Sequence, residues 1–285
     1  MITETQVRLR VKTLPSLPTT VVALGQAVAD ERCTAERVLG ILAKDPALSA
    51  TVLRMANSAM HIGESRVTDL HNAVLRLGYD AILNLGRTAA IIRTFKGSAH
   101  IDPLLLWQHS VAVGMTAKGI CRILKNRAQE ESAFLSGLLH DIGKIALDRC
   151  FTEEYSAVVG AVREGRVAWE AEQELLGITH AEVGAMVAVS WNFADALVEV
   201  IRDHHGPGPG AFLPNLINLC DLLVRSRIPN GPADETLAFV LEDVPSFRVV
   251  FGAALSEELD MERLTFGIDD ELDHAVAFVK LTFQD

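Results

Sequence analysis

Five histidines and two aspartates along the middle of the chain are of the two residue types that together bind divalent metals: His109, His140, Asp141, His180, His204, His205 and Asp221. Imidazole suits iron, manganese or zinc, and carboxylate extends the range to harder ions such as magnesium. Seven such groups are enough for two ions with positions left for water or substrate. Asp141 could bridge the pair, because a carboxylate has two acceptor oxygens. The adjacent His140 and Asp141 are expected on one helix, where they diverge but both reach a cluster lying against its edge. Any one of these histidines taken singly reads more simply as a core residue whose ring bonds a backbone carbonyl. That simpler reading is the one adopted for His61, His71, His100 and His274. Cys33, Cys121, Cys150 and Cys220 are scattered and never form a CxxC pair, so neither a disulfide framework nor a cysteine zinc site is expected.

Helices must position these groups. Apolar residues recur at three- and four-residue spacing through nearly every segment, and period-two alternation is scarce. The spacing predicts helices over 35–44, 69–77, 80–94, 104–124, 130–147, 153–164, 168–176, 180–190, 194–204 and 213–226, with another beginning at Asp45-Pro46, a cap followed by a first-turn proline. The fold class is all-α. Breakers at 96–100, in the Gly206-Pro207-Gly208-Pro209-Gly210 run and at Pro229-Asn230-Gly231-Pro232 divide the chain without any long linker. The expected organisation is an N-terminal helical subdomain over 1–97, a second subdomain over 98–231 carrying the histidines, and acidic helices over 232–285 packed on the body.

The chain has 285 residues, 49% of them hydrophobic and 22% charged, which is an ordinary globular mix. Residues 1–233 carry 23 basic against 24 acidic side chains, whereas residues 234–285 carry 3 against 13. An acidic tail repels phosphates, so direct nucleic-acid binding is disfavoured. No apolar run approaches the roughly 20 residues of a membrane span. The charged Met1–Arg10 is no secretory leader, and a cytoplasmic setting is expected.

The ordered set of seven, with the phrase Leu138-Leu-His-Asp-Ile-Gly-Lys-Ile145, resembles the HD phosphohydrolase superfamily and its HD-GYP branch. Leu39–Ala59 (LGILAKDPALSATVLRMANSA), Ala73–Gly78 (AVLRLG), Leu106-Trp-Gln-His-Ser110 and Gly177-Ile-Thr-His-Ala-Glu-Val-Gly184 resemble a narrower family within it, the HDOD domain of bacterial signalling proteins. The resemblance runs from about Leu14 to about Arg227. It implies an HD-like second subdomain in which His109, His140, Asp141 and Asp221 hold one divalent ion, and Asp141, His180, His204 and His205 a second. Asp141 and Lys144 would be the catalytic residues if there is catalysis, with the ammonium one turn beyond His140 able to approach a phosphate. Two features depart from the HD-GYP pattern: no GYP follows His205, and Leu105 stands one turn before His109, where some members have a glutamate. The resemblance therefore implies a signalling output module acting through contacts with a sensor, regulator or second output protein, with the metal as a structural or sensing element. The alternative it leaves is a metal-dependent phosphohydrolase or phosphodiesterase. The Arg54–Asn57 turn and the loop 61–66 are the expected partner surface.

Overall fold

The computed structural model describes residues 1–28, 30, 32–57, 66–227, 240–252 and 261–283. Among them there are helices and connecting turns and no strand, so the chain is all-α. No helix among the described residues is long and apolar enough to cross a membrane.

The chain divides into two compact units, one formed by Pro15–Lys96 with Ala277–Asp285 and the other by Met1–Leu14 with Gly97–Val276. The first unit contains α2 (Thr19–Val28), α3 (Ala35–Leu42), α4 (Pro46–Ala56), α5 (Leu70–Leu77) and α6 (Tyr79–Thr94). Their starts are written in the sequence: Thr34, Asp45 and Asp69 each accept a hydrogen bond from a backbone N–H of the first turn. Leu24, Leu42, Leu48, Met55, Ile82 and Ile91 form its core. Two residues of the expected partner turn are structural, since Met55 and Ala56 are buried. Asn57 pairs with Val67: its amide donates to the Val67 carbonyl at 2.7 Å, and its oxygen accepts from the Val67 N–H at 2.8 Å. Of the expected partner loop 61–66, residues 61–65 lie outside the described residues.

The second unit contains α1 (Glu4–Val11), α7 (Pro103–Ile123), α8 (Glu130–Leu139), α9 (Ile142–Cys150), α10 (Thr152–Arg163), α11 (Ala168–Leu176), α12 (His180–Ser190), α13 (Asp195–Asp203), α14 (Phe212–Arg225) and α15 (Pro245–Phe251). A last helix, α16 (Met261–Phe283), begins in this unit and ends in the other. The first fourteen residues, expected with the N-terminal subdomain, pack here instead. Val7 and Val11 are buried, the Arg10 guanidinium lies over the Phe151 ring at 4.5 Å, and the Ile2 N–H donates to the Leu176 carbonyl. Helix α1 escapes a reading by apolar period because it buries only those two valines. Its local signal is the capping box between Thr3 and Gln6.

Asp148, on α9, anchors the loop that leads into α7. It has no exposed surface, and its carboxylate accepts from the Ser98 hydroxyl and from the N–H groups of Ala99 (2.7 Å) and His100 (2.9 Å), while His100 Nδ1 lies 2.7 Å from its other oxygen. Burial opposes this charge, but the N–H of His100 and the Ser98 hydroxyl outweigh it and hold the carboxyl below its ordinary value. Asp148→Ala should cost about 2 kcal/mol in chemical denaturation at neutral pH, because it leaves several half-buried donors without their acceptor. A folded-state pKa below the unfolded one contributes stability above the usual carboxylate value and loses it as pH falls through the folded value. The gap between wild type and Asp148→Ala should therefore stay constant from pH 7 to about 5 and narrow below about 4.

Candidate metal centre

The structure brings all seven residues into one cluster in the second unit, six of them buried and His205 half-buried. His109 comes from the middle of α7, Asp221 from the middle of α14, His180 from the first turn of α12, and His204 and His205 follow directly on α13. His140 and Asp141 sit between α8 and α9, which corrects the expectation of one helix over 130–147. Successive side chains on a continuous helix point about 100° apart. The break turns Asp141 (φ −96°, ψ 8°) so that both side chains face the same point.

Glycines let these helices come close enough. A Cβ on Gly137 would lie 2.4 Å from the Gly114 nitrogen, which marks the crossing of α8 with α7. A Cβ on Gly143 would lie 1.9 Å from the His180 carbonyl oxygen, which marks the crossing of α9 with α12. The first crossing brings His109 to His140, and the second brings His180 to Asp141.

The cluster has two halves that share Asp141. On one side His109 Nε2 lies 3.3 Å from His140 Nε2, 3.0 Å from Asp221 Oδ1 and 3.8 Å from Asp141 Oδ2, and His140 Nε2 is 3.4 Å from Asp141 Oδ2. On the other side His180 Nε2 lies 3.2 Å from Asp141 Oδ1 and 2.8 Å from His205 Nε2, with His204 Nε2 3.8 Å from Asp141 Oδ1. Ligand atoms bound at about 2.1 Å to one ion lie about 3.0–3.4 Å from one another; four of these separations fall in that range, and those of 2.8 and 3.8 Å lie within 0.4 Å of it. His204 Nε2 is buried without a hydrogen-bond partner among the described residues, as a ligand atom facing an ion would be. The donors fit a divalent metal.

Charge is arranged to suit a cation. Burial alone would raise the Asp141 carboxyl, but His140, Lys144 and His180 hold it well below the ordinary range. Burial likewise opposes the Asp221 charge, and His109 and Arg225 restore it. Burial, with neighbouring imidazoles, pushes His204 down to about 3 and lowers His140 and His205. These three rings are therefore neutral, the form that donates a lone pair to a metal. His180 goes the other way. Burial disfavours its charge, yet the carboxylates of Glu172 and Asp141 carry it up to about 9.

Some features were not visible in the sequence. Glu172 on α11 is fully buried and holds His180 Nδ1 at 2.6 Å, and the Tyr155 hydroxyl donates to its other oxygen at 3.1 Å. Nothing in the run Glu170-Ala-Glu-Gln-Glu174 distinguishes it from the acids on either side. Trp169, from the same helix, stacks on His205 with ring centroids 6.1 Å apart. Lys144 is the cation that the sequence places beside the cluster. It donates to Asp141 Oδ2 at 2.8 Å, but Arg225 also stands there, 3.6 Å from Asp221 Oδ2. Arg225 lies one turn beyond Asp221 on α14, a spacing that could have found it.

The sequence model of the HDOD domain matches residues 14–207. An uncharacterized protein of Treponema pallidum is 24% identical over 197 residues, which cover 69% of this chain and 38% of that protein. The fold is similar to that of an HDOD domain protein of unknown function from Geobacter sulfurreducens, at a TM-score of 0.83 and 25% identity over 99% of both chains. It is also similar to a Shewanella amazonensis protein named "Putative phosphohydrolase", at a TM-score of 0.76 and 26% identity over 97% of this chain and 98% of that one.

Proposed function

Because the chain belongs to the HDOD domain family, we propose that it is a signal-transduction output module acting through protein contacts, with a divalent metal in its histidine-bearing unit as a structural or sensing element. The observation that carries this reading is the division of labour between the units. Every residue of the cluster lies in the unit of Gly97–Val276, and Pro15–Lys96 forms a compact unit that brings none. A phosphohydrolase has no evident use for the unit of Pro15–Lys96, whereas an output module needs a scaffold for a sensor, a regulator or a second output protein. A cytoplasmic setting goes with this reading.

His109, His140, Asp141 and Asp221 would hold one ion, and Asp141, His180, His204 and His205 another. When bound, such an ion supplies a Lewis acid able to activate water at neutral pH. A second reading, a metal-dependent phosphohydrolase, is favoured by Lys144 and Arg225. Their side chains are 16% and 21% exposed beside the two carboxylates, where they could meet an anionic substrate.

Against hydrolysis of large substrates stands the turn after His205. Residues 206–211 contain no cation. The Asn215 amide ties them to α14, donating to the Gly208 and Ala211 carbonyls at 3.0 and 2.8 Å. Positioning a dinucleotide takes more contacts than two cations provide. The metal-loaded protein should therefore turn over a cyclic dinucleotide more slowly than about 1 per second. A faster rate that is lost in Asp141→Ala would make the chain an enzyme.

A further inference from the structure

We propose that the two halves of the centre bind their ions with unequal affinity, and that Glu172 is the positioning residue that makes the His180 half the tighter one. The inference rests on the metal reading above. A histidine that ligates through Nε2 carries its proton on Nδ1, and once buried that N–H needs an acceptor. In the His180 half two of the three imidazoles have their acceptors in place: Glu172 Oε2 lies 2.6 Å from His180 Nδ1, and the Ile201 carbonyl 2.7 Å from His204 Nδ1. Glu172 is itself held, since Oε2 also accepts from the His180 backbone N–H at 2.7 Å and Oε1 from the Tyr155 hydroxyl.

The His109 half is less prepared. His140 Nδ1 has the Gly137 carbonyl at 2.7 Å, but His109 Nδ1 is buried with no hydrogen-bond partner among the described residues. His109 Nε2 lies 3.0 Å from Asp221 Oδ1, so the proton is best placed on Nε2, donated to that carboxylate. Ligation there moves it to Nδ1, where nothing accepts it, and a buried unpaired donor is costly. Lys144 adds a second asymmetry. Its ammonium lies 2.8 Å from Oδ2, the Asp141 oxygen that faces His109 and His140, and it repels a cation entering on that side.

The test is a calorimetric titration of the metal-free full chain with Mn2+, with elemental analysis after passage over a chelating resin. Two binding steps should differ by about tenfold or more, and one ion per chain should survive the resin. His205→Ala should remove the tight step and Asp221→Asn the weak one. Glu172→Gln, which keeps an acceptor oxygen, should weaken the tight step by about tenfold, and Glu172→Leu by about a hundredfold, with the weak step retained in both. If the Glu172 variants do not fold, the order of filling in wild type, assigned through His205 and Asp221, decides the matter alone. Two equal steps, or a tight step that disappears in Asp221→Asn, would overturn the inference and leave the metal reading intact. Binding of no ion at all would sink both.

Discussion

Asp141→Ala should bring the metal content of the purified protein to the background of its buffer, for both ions together. Oδ2 of this residue faces His109 and His140 and Oδ1 faces His180 and His204, so one truncation takes a ligand from each half. His205→Ala, by contrast, touches one half only and should leave an ion in place. Lys144→Ala should leave metal content unchanged or raise it, because the ammonium competes with the ion for Oδ2. The same centre sets a pH dependence. His180 is charged below about 9 when no ion is bound, so an ion entering at neutral pH must displace a proton from it. Apparent metal affinity should rise with pH and level off above about 9, rather than turning over at the value of about 6.5 for a free histidine. Elemental analysis of Asp141→Ala and Mn2+ titrations at several pH values check the two statements. Stoichiometric metal in Asp141→Ala, with its far-ultraviolet dichroism intact, would mean that the carboxylate is not a shared ligand.

Gly143→Ala should be among the most destabilising single-methyl changes in the chain. The added carbon would stand 1.9 Å from the His180 carbonyl oxygen and 2.7 Å from the Gly184 nitrogen, both backbone atoms that cannot swing aside. Overpacking typically costs about 1–3 kcal/mol, and a clash with backbone belongs at or above the top of that range. Relief requires α9 and α12 to separate, which carries His180 away from Asp141, so metal retention at the His180 half should fall along with stability. Gly160→Ala on α10 is the control. Nothing lies within 4 Å of its added carbon, and a helix-interior glycine replaced by alanine should gain about 0.5–1 kcal/mol. Denaturation midpoints of the two variants moving in the same direction would refute the argument from close approach.

Much of this protein is legible in its sequence because the forces that write it are local. Apolar residues at helical spacing bury one face of each helix, and Thr34, Asp45 and Asp69 satisfy the open N–H groups at helix starts, so the all-α class and most helix bounds follow from nearest neighbours along the chain. The seven candidate ligands could be listed for a related reason: imidazoles and carboxylates on apolar helices are uncommon, and their order resembles a known family. What depended on contacts between distant segments could not be read that way. The break at His140 and Asp141 is invisible in a stretch whose apolar spacing continues through it, because it answers to the close packing of α9 on α12. The first residues and helix α1 read as polar and join the histidine-bearing unit through residues more than a hundred positions away, among them Cys150, Phe151 and Leu176. Glu172 looks like any acid of a solvated helix until the fold buries it against His180, and Arg225 is a surface cation until α14 brings Asp221 to His109. Residue type and spacing determined which groups were able to bind a metal. Tertiary packing alone decided which of them meet, which imidazole nitrogens find an acceptor, and hence which half of the centre is prepared to hold an ion.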